Sequence, residues 1–184
     1  NDAISIEDKT ITLDVQNFNL TVNSSSSSGL YVENGGIQLV GAGAFDVSGY
    51  SYGVTADAGG VATVTSATAT RTDSGCGVQA TGGTVQVLED VTGFVGVYAE
   101  ASAGVDVLGD VHANGTGGVN AIYALTGAGV AVHGSLDSSL TGSAVYASGT
   151  YSEVYVGGNV TASASAQAIY ANSGGRVVVD GDIQ

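Results

Sequence analysis

The stretch Ala168–Gln184, AIYANSGGRVVVDGDIQ, repeats in outline one that stands earlier at Ala121–Asp137, AIYALTGAGVAVHGSLD. Each opens with a small residue, an aliphatic, a tyrosine and an alanine. Each then runs through a Gly-bearing corner into alternating aliphatics, and a further aliphatic follows a small or acidic residue. The opening phrase recurs as GLYV at Gly29, GVTA at Gly53, GVQA at Gly77, GVYA at Gly96, AIYA at Ala121, AVYA at Ala144 and AIYA at Ala168. Successive starts lie 24, 24, 19, 25, 23 and 24 residues apart. Seven copies at a period near 24 mark a repeat architecture, in which each unit buries its apolar side against its neighbours.

Two further segments complete each copy. The first is an alternating set: Ile37-Gln38-Leu39, Val85-Gln86-Val87, Val105-Asp106-Val107, Val130-Ala131-Val132, Val154-Tyr155-Val156 and Val177-Val178-Val179. The second is an aliphatic behind a small or acidic residue, as in Asp90-Val91, Asp110-Val111, Ser135-Leu136, Asn159-Val160 and Asp182-Ile183. The copy at Gly53 fits this part loosely. Alternation with period two over so few residues specifies strands with one buried face. The three- and four-residue apolar spacing of a helix is absent, and 30 glycines disfavour helix throughout.

Three short strands per copy, stacked copy on copy, predict an all-β fold: a right-handed parallel β-helix with three sheets and about seven rungs of about 24 residues. At about 4.8 Å per rung the prism would stand roughly 34 Å tall. The second position of the phrase, Leu30, Val54, Val78, Val97, Ile122, Val145 and Ile169, is always aliphatic and is expected inside. The third accepts Thr55 and Gln79 and is expected to face water. That places Tyr98, Tyr123, Tyr146 and Tyr170 in an external ladder. The 19-residue copy has a trimmed third corner, DVTGFVGVY, which predicts a notch beside the longer loop Asn114–Asn120.

Residues 1–28 are expected to form an opening rung or cap followed by a flexible serine loop, with the β-helix repeats over 29–184. The chain shows no leader-like basic and apolar start, and its final rung stops within a strand that nothing covers. The reading therefore expects a mature form or a piece cut from a longer protein. The stretch TITLDVQNFNLTV (residues 10–22) resembles the opening rung of secreted bacterial β-helix proteins of the pectin-lyase-like superfold. VYASG (145–149) and VYVGGNVTAS (154–163) resemble the adhesin-type and passenger-type repeats of that group. The resemblance implies the same fold and an extracellular or cell-surface location.

Composition narrows the partners. There are 17 Asp and Glu against 3 Lys and Arg, a net charge of −14, so nucleic acid and anionic membrane surfaces would be repelled. No apolar run reaches the roughly 18 residues needed for a membrane helix. Cys76 is the single cysteine, so no disulfide framework exists within the chain. Its corner, SGCGV, offers no activating partner, which points to a packing role. His112 and His133 occupy non-equivalent slots, and no orienting carboxylate is evident for either.

Polysaccharide lyases on such a fold need clustered carboxylates with a cation, and Lys9, Arg71 and Arg176 lie in unrelated parts of the repeat. Asp90, Asp110 and Asp182 share one slot with Asn159 and Ser135. Such a file offers the oxygen ligands that Ca²⁺ takes, yet the slot opens a strand after a corner, where Asp and Asn are favoured anyway. The structural role is the expectation, with no cofactor and no metal site assigned. The tyrosine ladder is the candidate ligand-binding surface, for a glycan or a host or cell-surface protein, although stacked like side chains also stabilise parallel ladders. The expected function is that of a non-enzymatic adhesin or structural stalk. The alternatives are a carbohydrate-binding β-helix and, behind it, a polysaccharide lyase.

Overall fold

A computed structural model of the chain describes residues 1–115, 117–163 and 166–184. The first rung consists of β1 (Ile4–Glu7), β2 (Thr10–Gln16) and β3 (Leu20–Asn23). The second is β4 (Ser28–Glu33), β5 (Gly36–Gly41) and β6 (Phe45–Gly49), and the third β7 (Tyr52–Asp57), β8 (Val61–Val64) and β9 (Ser66–Ala69). β10 (Cys76–Thr81), β11 (Thr84–Val87) and β12 (Val91–Gly93) make the fourth. The fifth is β13 (Val95–Glu100), β14 (Gly104–Val107) and β15 (Val111–Ala113). β16 (Ile122–Leu125), β17 (Gly129–Val132) and β18 (Leu136–Ser138) form the sixth, and β19 (Val145–Ser148), β20 (Glu153–Val156) and β21 (Val160–Thr161) the seventh. β22 (Ile169–Asn172) and β23 (Arg176–Val179) begin an eighth, where Ile183 bridges to Val160.

The strands stack into three parallel sheets, the first and second of eight strands and the third of seven. The fold is an all-β parallel β-helix of about seven turns, as the 24-residue period predicts. Residues 1–28 contribute a full rung, and Ser24–Ser27 form its third corner. There the Ser24 hydroxyl donates to the Asn1 carbonyl at 3.0 Å, and the Asn1 amino group donates to Ser26 Oγ at 3.1 Å.

In-register pairing builds the core. Leu30, Val54, Val78, Val97, Ile122 and Val145 succeed one another up the first sheet and are all fully buried. Val64, Val87, Val107, Val132 and Val156 do the same on the second sheet. Ala67, Val91, Val111, Leu136 and Val160 do so on the third. Each burial removes apolar surface from water, about 25 cal/mol per Å².

The copy that the sequence registers poorly is explained by its second corner. From Leu88–Asp90 onward that corner is three residues long, but between β8 and β9 it is Thr65 alone. Without the usual Asp or Asn the repeat loses its clearest landmark. Ala62 nonetheless aligns with Ile37 and Val85, and the column is unbroken.

The third corner is the elastic one, from Phe94 alone to the stretch 114–121. The expected notch at the trimmed corner is filled. Phe94 is only 6% exposed, and a side chain built at Gly115 in the next rung would collide with its ring and with Leu140. The ring occupies the space the shorter connection leaves, and the longer corner lies over it; Thr116 in that corner lies outside the described residues. The small residue that opens each phrase has a related cause. Side chains at Gly29, Gly77 and Gly96 would run into Val47, Val91 and Val111, which stand on the third-sheet strand of the same rung.

Candidate functional site

The tyrosine file is where the repeat places it. Tyr98, Tyr123, Tyr146 and Tyr170 pair in register on β13, β16, β19 and β22. Their ring centroids are separated by 5.5, 5.8 and 5.4 Å, with interplanar angles of 47°, 52° and 15°. The sequence expectation of exposed rings needs correcting. Tyr98, Tyr123 and Tyr146 are half-buried, and only Tyr170, at 40%, is exposed. Rung spacing sets each ring beside its neighbour, so every ring is partly covered by the next. Each such pair is worth about 0.5–1.5 kcal/mol beyond area burial.

The same slot further down does not uniformly face water. Thr55 is 5% exposed, lying between Tyr31 and Gln79 in register with its hydroxyl against Ser28 Oγ at 3.1 Å. A hydroxyl bonded to its own rung stack has no need of solvent.

The hydroxyls divide the file. Tyr31 donates to Glu33 Oε2 and Tyr98 to Glu100 Oε2, both at 2.9 Å. Tyr123 Oη accepts the Asn120 backbone N–H at 3.0 Å. The bond to Glu33, with burial and the carboxylate's charge, pushes the Tyr31 phenol up to about 12. Burial first, and then Glu100, does the same to Tyr98.

Sequence reasoning missed a second file beside the tyrosines. Glu7, Glu33, Asp57, Thr81 and Glu100 stack in register at the ends of the first-sheet strands. The signal was available, since the residue following each phrase reads Glu33, Asp57, Thr81 and Glu100. Burial raises the Asp57 carboxyl, opposed by the Thr81 hydroxyl and reinforced by Glu33 and Glu100. Asp57 Oδ1 is buried without a hydrogen-bond partner.

The polar slot of the second corner is a hydrogen-bond ladder. Asp90 Oδ1 accepts the Asp110 N–H at 2.8 Å, and Asp110 Oδ1 accepts that of Ser135 at 2.7 Å. Ser135 Oγ accepts the Asn159 N–H at 3.2 Å, and Asn159 Oδ1 that of Asp182 at 2.9 Å. At the lower end Asn19 Oδ1 accepts from Ala44, and Thr65 Oγ1 from Phe45. Asp, Asn, Ser and Thr alternate here because each supplies one acceptor at one height. Oxygens aimed at amides are not gathered around a cation, and no group of three His, Cys, Asp or Glu side chains suited to a metal occurs among the described residues.

The histidines have carboxylate partners that the linear sequence did not reveal. His112 Nδ1 lies 3.4 Å from Asp137 Oδ2, its in-register neighbour one rung on. His133 Nε2 lies 2.9 Å from Asp106 Oδ1, one rung back, and Gln86 Nε2 donates to Asp106 Oδ2 at 3.2 Å. The two pairs sit on different sheets and do not converge. Cys76 is buried, and desolvation pushes its thiol up to about 12, which keeps it protonated and unreactive near neutrality.

Two surface depressions lie beside these files. One, of about 380 Å³ on the second sheet, has a floor where Gly104, Gly129 and Ala131 lack outward bulk between Asp106 and Tyr155. Its carboxylates are already engaged, Asp106 by His133 and Glu153 by Arg176. The other, of about 320 Å³, runs along the tyrosine file where the third corner meets the first sheet, at Tyr146 and Tyr170. Comparison of the chain with protein-family models, curated proteins and solved structures found no match.

Proposed function

We propose that the chain acts as a non-catalytic β-helix of a secreted or cell-surface protein, of the bacterial adhesin or passenger kind, serving as a stalk or adhesive surface. One observation carries this reading. The polar side chains of the second corner are engaged in binding rung to rung: Asp90, Asp110, Ser135 and Asn159 each hold an amide of the next turn. Stitching of this kind, added to the ladders of three sheets, resists bending and shear along the axis, which is what a stalk needs. The surface that results is rich in hydroxyls and glycine and carries a charge of −14, suited to an extracellular medium. The likeness of residues 10–22 to the opening rung of secreted β-helix proteins agrees with it.

The test uses antibodies raised against the chain on intact cells of the source organism, with a strain deleted for the protein assayed for adherence. Labelling without permeabilisation, erased by external protease, and reduced adherence on deletion are expected. Labelling only after lysis would overturn the reading.

A further inference from the structure

The depression beside the upper tyrosines differs chemically from the rest of the surface. Its walls are Asn120, Thr141, Ser143, Tyr146, Gln167 and Tyr170. None of these carries a charge near neutrality, in a chain with 17 carboxylates. The acidic file that accompanies the tyrosines ends at Glu100; in the next two rungs its positions are held by Leu125 and Ser148, and then by Asn172. The groove therefore starts where the charge stops.

The polar groups are preset. Asn120 Oδ1 accepts the Ser143 backbone N–H at 2.7 Å, which orients the amide; its NH₂ has no acceptor among the described residues. Thr141 Oγ1 donates to the Gly117 carbonyl at 2.9 Å, which keeps its lone pairs for the acceptor role. Gln167 is exposed and adds an amide donor and acceptor. Lower in the file the tyrosine hydroxyls are tied to Glu33, to Glu100 or to the Asn120 amide; those of Tyr146 and Tyr170 carry no such tie among the described residues. Tyr146 and Tyr170 stack nearly parallel, 15° apart, and make one continuous aromatic wall whose outermost ring is Tyr170.

We propose that this seam binds a neutral glycan. Amides, hydroxyls and phenols without charge match a ligand whose own groups are hydroxyls, each donor and acceptor at once, while Tyr170, the exposed ring of the file, takes the apolar C–H face of a sugar ring. A volume of about 320 Å³ is at the lower end of small-ligand sites, suited to a short terminal unit of a longer chain. Uronate, sialylated and sulfated glycans are disfavoured by the field of the whole molecule. This deepens the surface-protein reading and rests on it for its biological setting, but it is tested separately.

The 184-residue chain is applied to a printed array carrying neutral hexose and N-acetylhexosamine oligosaccharides beside sialylated and sulfated ones. Binding to neutral glycans is expected. The best neutral oligosaccharide from the array is then titrated against Tyr170→Thr and Gln167→Ala, with Tyr31→Thr at the far end of the file as control. Affinity should fall at least tenfold in the first two and stay within twofold in the control, with unchanged far-UV circular dichroism. Gln167 is exposed, so its variant keeps the test valid if the tyrosine variant misfolds. Amide shifts on titration should cluster at Ser143 and Gln167. No neutral glycan bound, binding confined to acidic glycans, or equal affinity in Gln167→Ala would overturn the proposal. A negative array with surface labelling of intact cells removes only the glycan site. A positive array with no surface labelling removes only the location.

Discussion

Asp110 both gives and receives in the corner ladder: its N–H donates to Asp90 and its Oδ1 accepts from Ser135. Asp110→Ala should leave the Ser135 amide without its acceptor and lower stability by about 1–2 kcal/mol. Asp110→Asn should cost much less, because Asn159 already performs this task with an amide oxygen. Equal losses in the two variants, measured by urea denaturation, would show that the carboxylate's charge matters more than its acceptor. Asp57 is the opposite case. Its folded carboxyl is held above the ordinary value by burial and by Glu33 and Glu100, so its contribution is full below about pH 3.8 and is lost as pH rises through the raised value. Asp57→Asn removes the like-charge contact with Glu33 and should gain about 0.5 kcal/mol at pH 7. The gain should vanish at about pH 3, where the wild-type carboxyl is neutral. A gain that persists at low pH would place its origin elsewhere.

At the scale of elements, the strands are uniform and the corners carry the individuality. The first corner keeps one or two left-handed residues in every rung, as at Asn34 (φ 48°) and Gly82 (φ 68°), which turn the chain from the first sheet to the second. The third corner absorbs insertions and deletions, and at its shortest the chain fills the gap with Phe94. Gly115→Ala, pressed against that ring and against Leu140, should destabilise by about 1–3 kcal/mol through overpacking. Gly118→Ala in the same corner meets nothing within 4 Å and should be nearly neutral. Thermal midpoints of the two variants decide the matter: similar values would mean that the corner does not rest on Phe94.

At the scale of the whole stack, the outermost described rungs are the first and the eighth. β22 and β23 each leave one side of the backbone unpaired; Ile169, Val177 and Val179 are half-buried there, and Ile183 is 52% exposed. At the other end Ile11 is 41% and Leu20 37% exposed. Unpaired strand edges are templates for another chain. A net charge of −14 opposes contact, but its reach is about a Debye length, 8–10 Å at physiological salt and less above it. The 184-residue chain should therefore associate end to end through its C-terminal rung at millimolar concentration, increasingly as salt rises. Light scattering that stays at the monomer mass under those conditions would contradict this.

The period, the three strands per rung and the identity of the inward residues stood in the sequence by themselves. A parallel ladder in strict register demands an aliphatic at the same place in every copy, and Val78, Val97 and Ile122 or Val87, Val107 and Val132 record that demand one rung at a time. Tyr98, Tyr123, Tyr146 and Tyr170 could be placed in one file for the same reason. What joins one rung to another was decided only in three dimensions. His133 finds Asp106 across 27 residues and Asp90 reaches the amide of Asp110 because stacking brings them to one height. How far the tyrosines are covered depends on ring tilt, which no alternation encodes. The neutral groove arises where corners of unequal length bring Asn120, Thr141 and Gln167 beside Tyr146 and Tyr170. Corners are under no common register, so only the folded chain sets their side chains together.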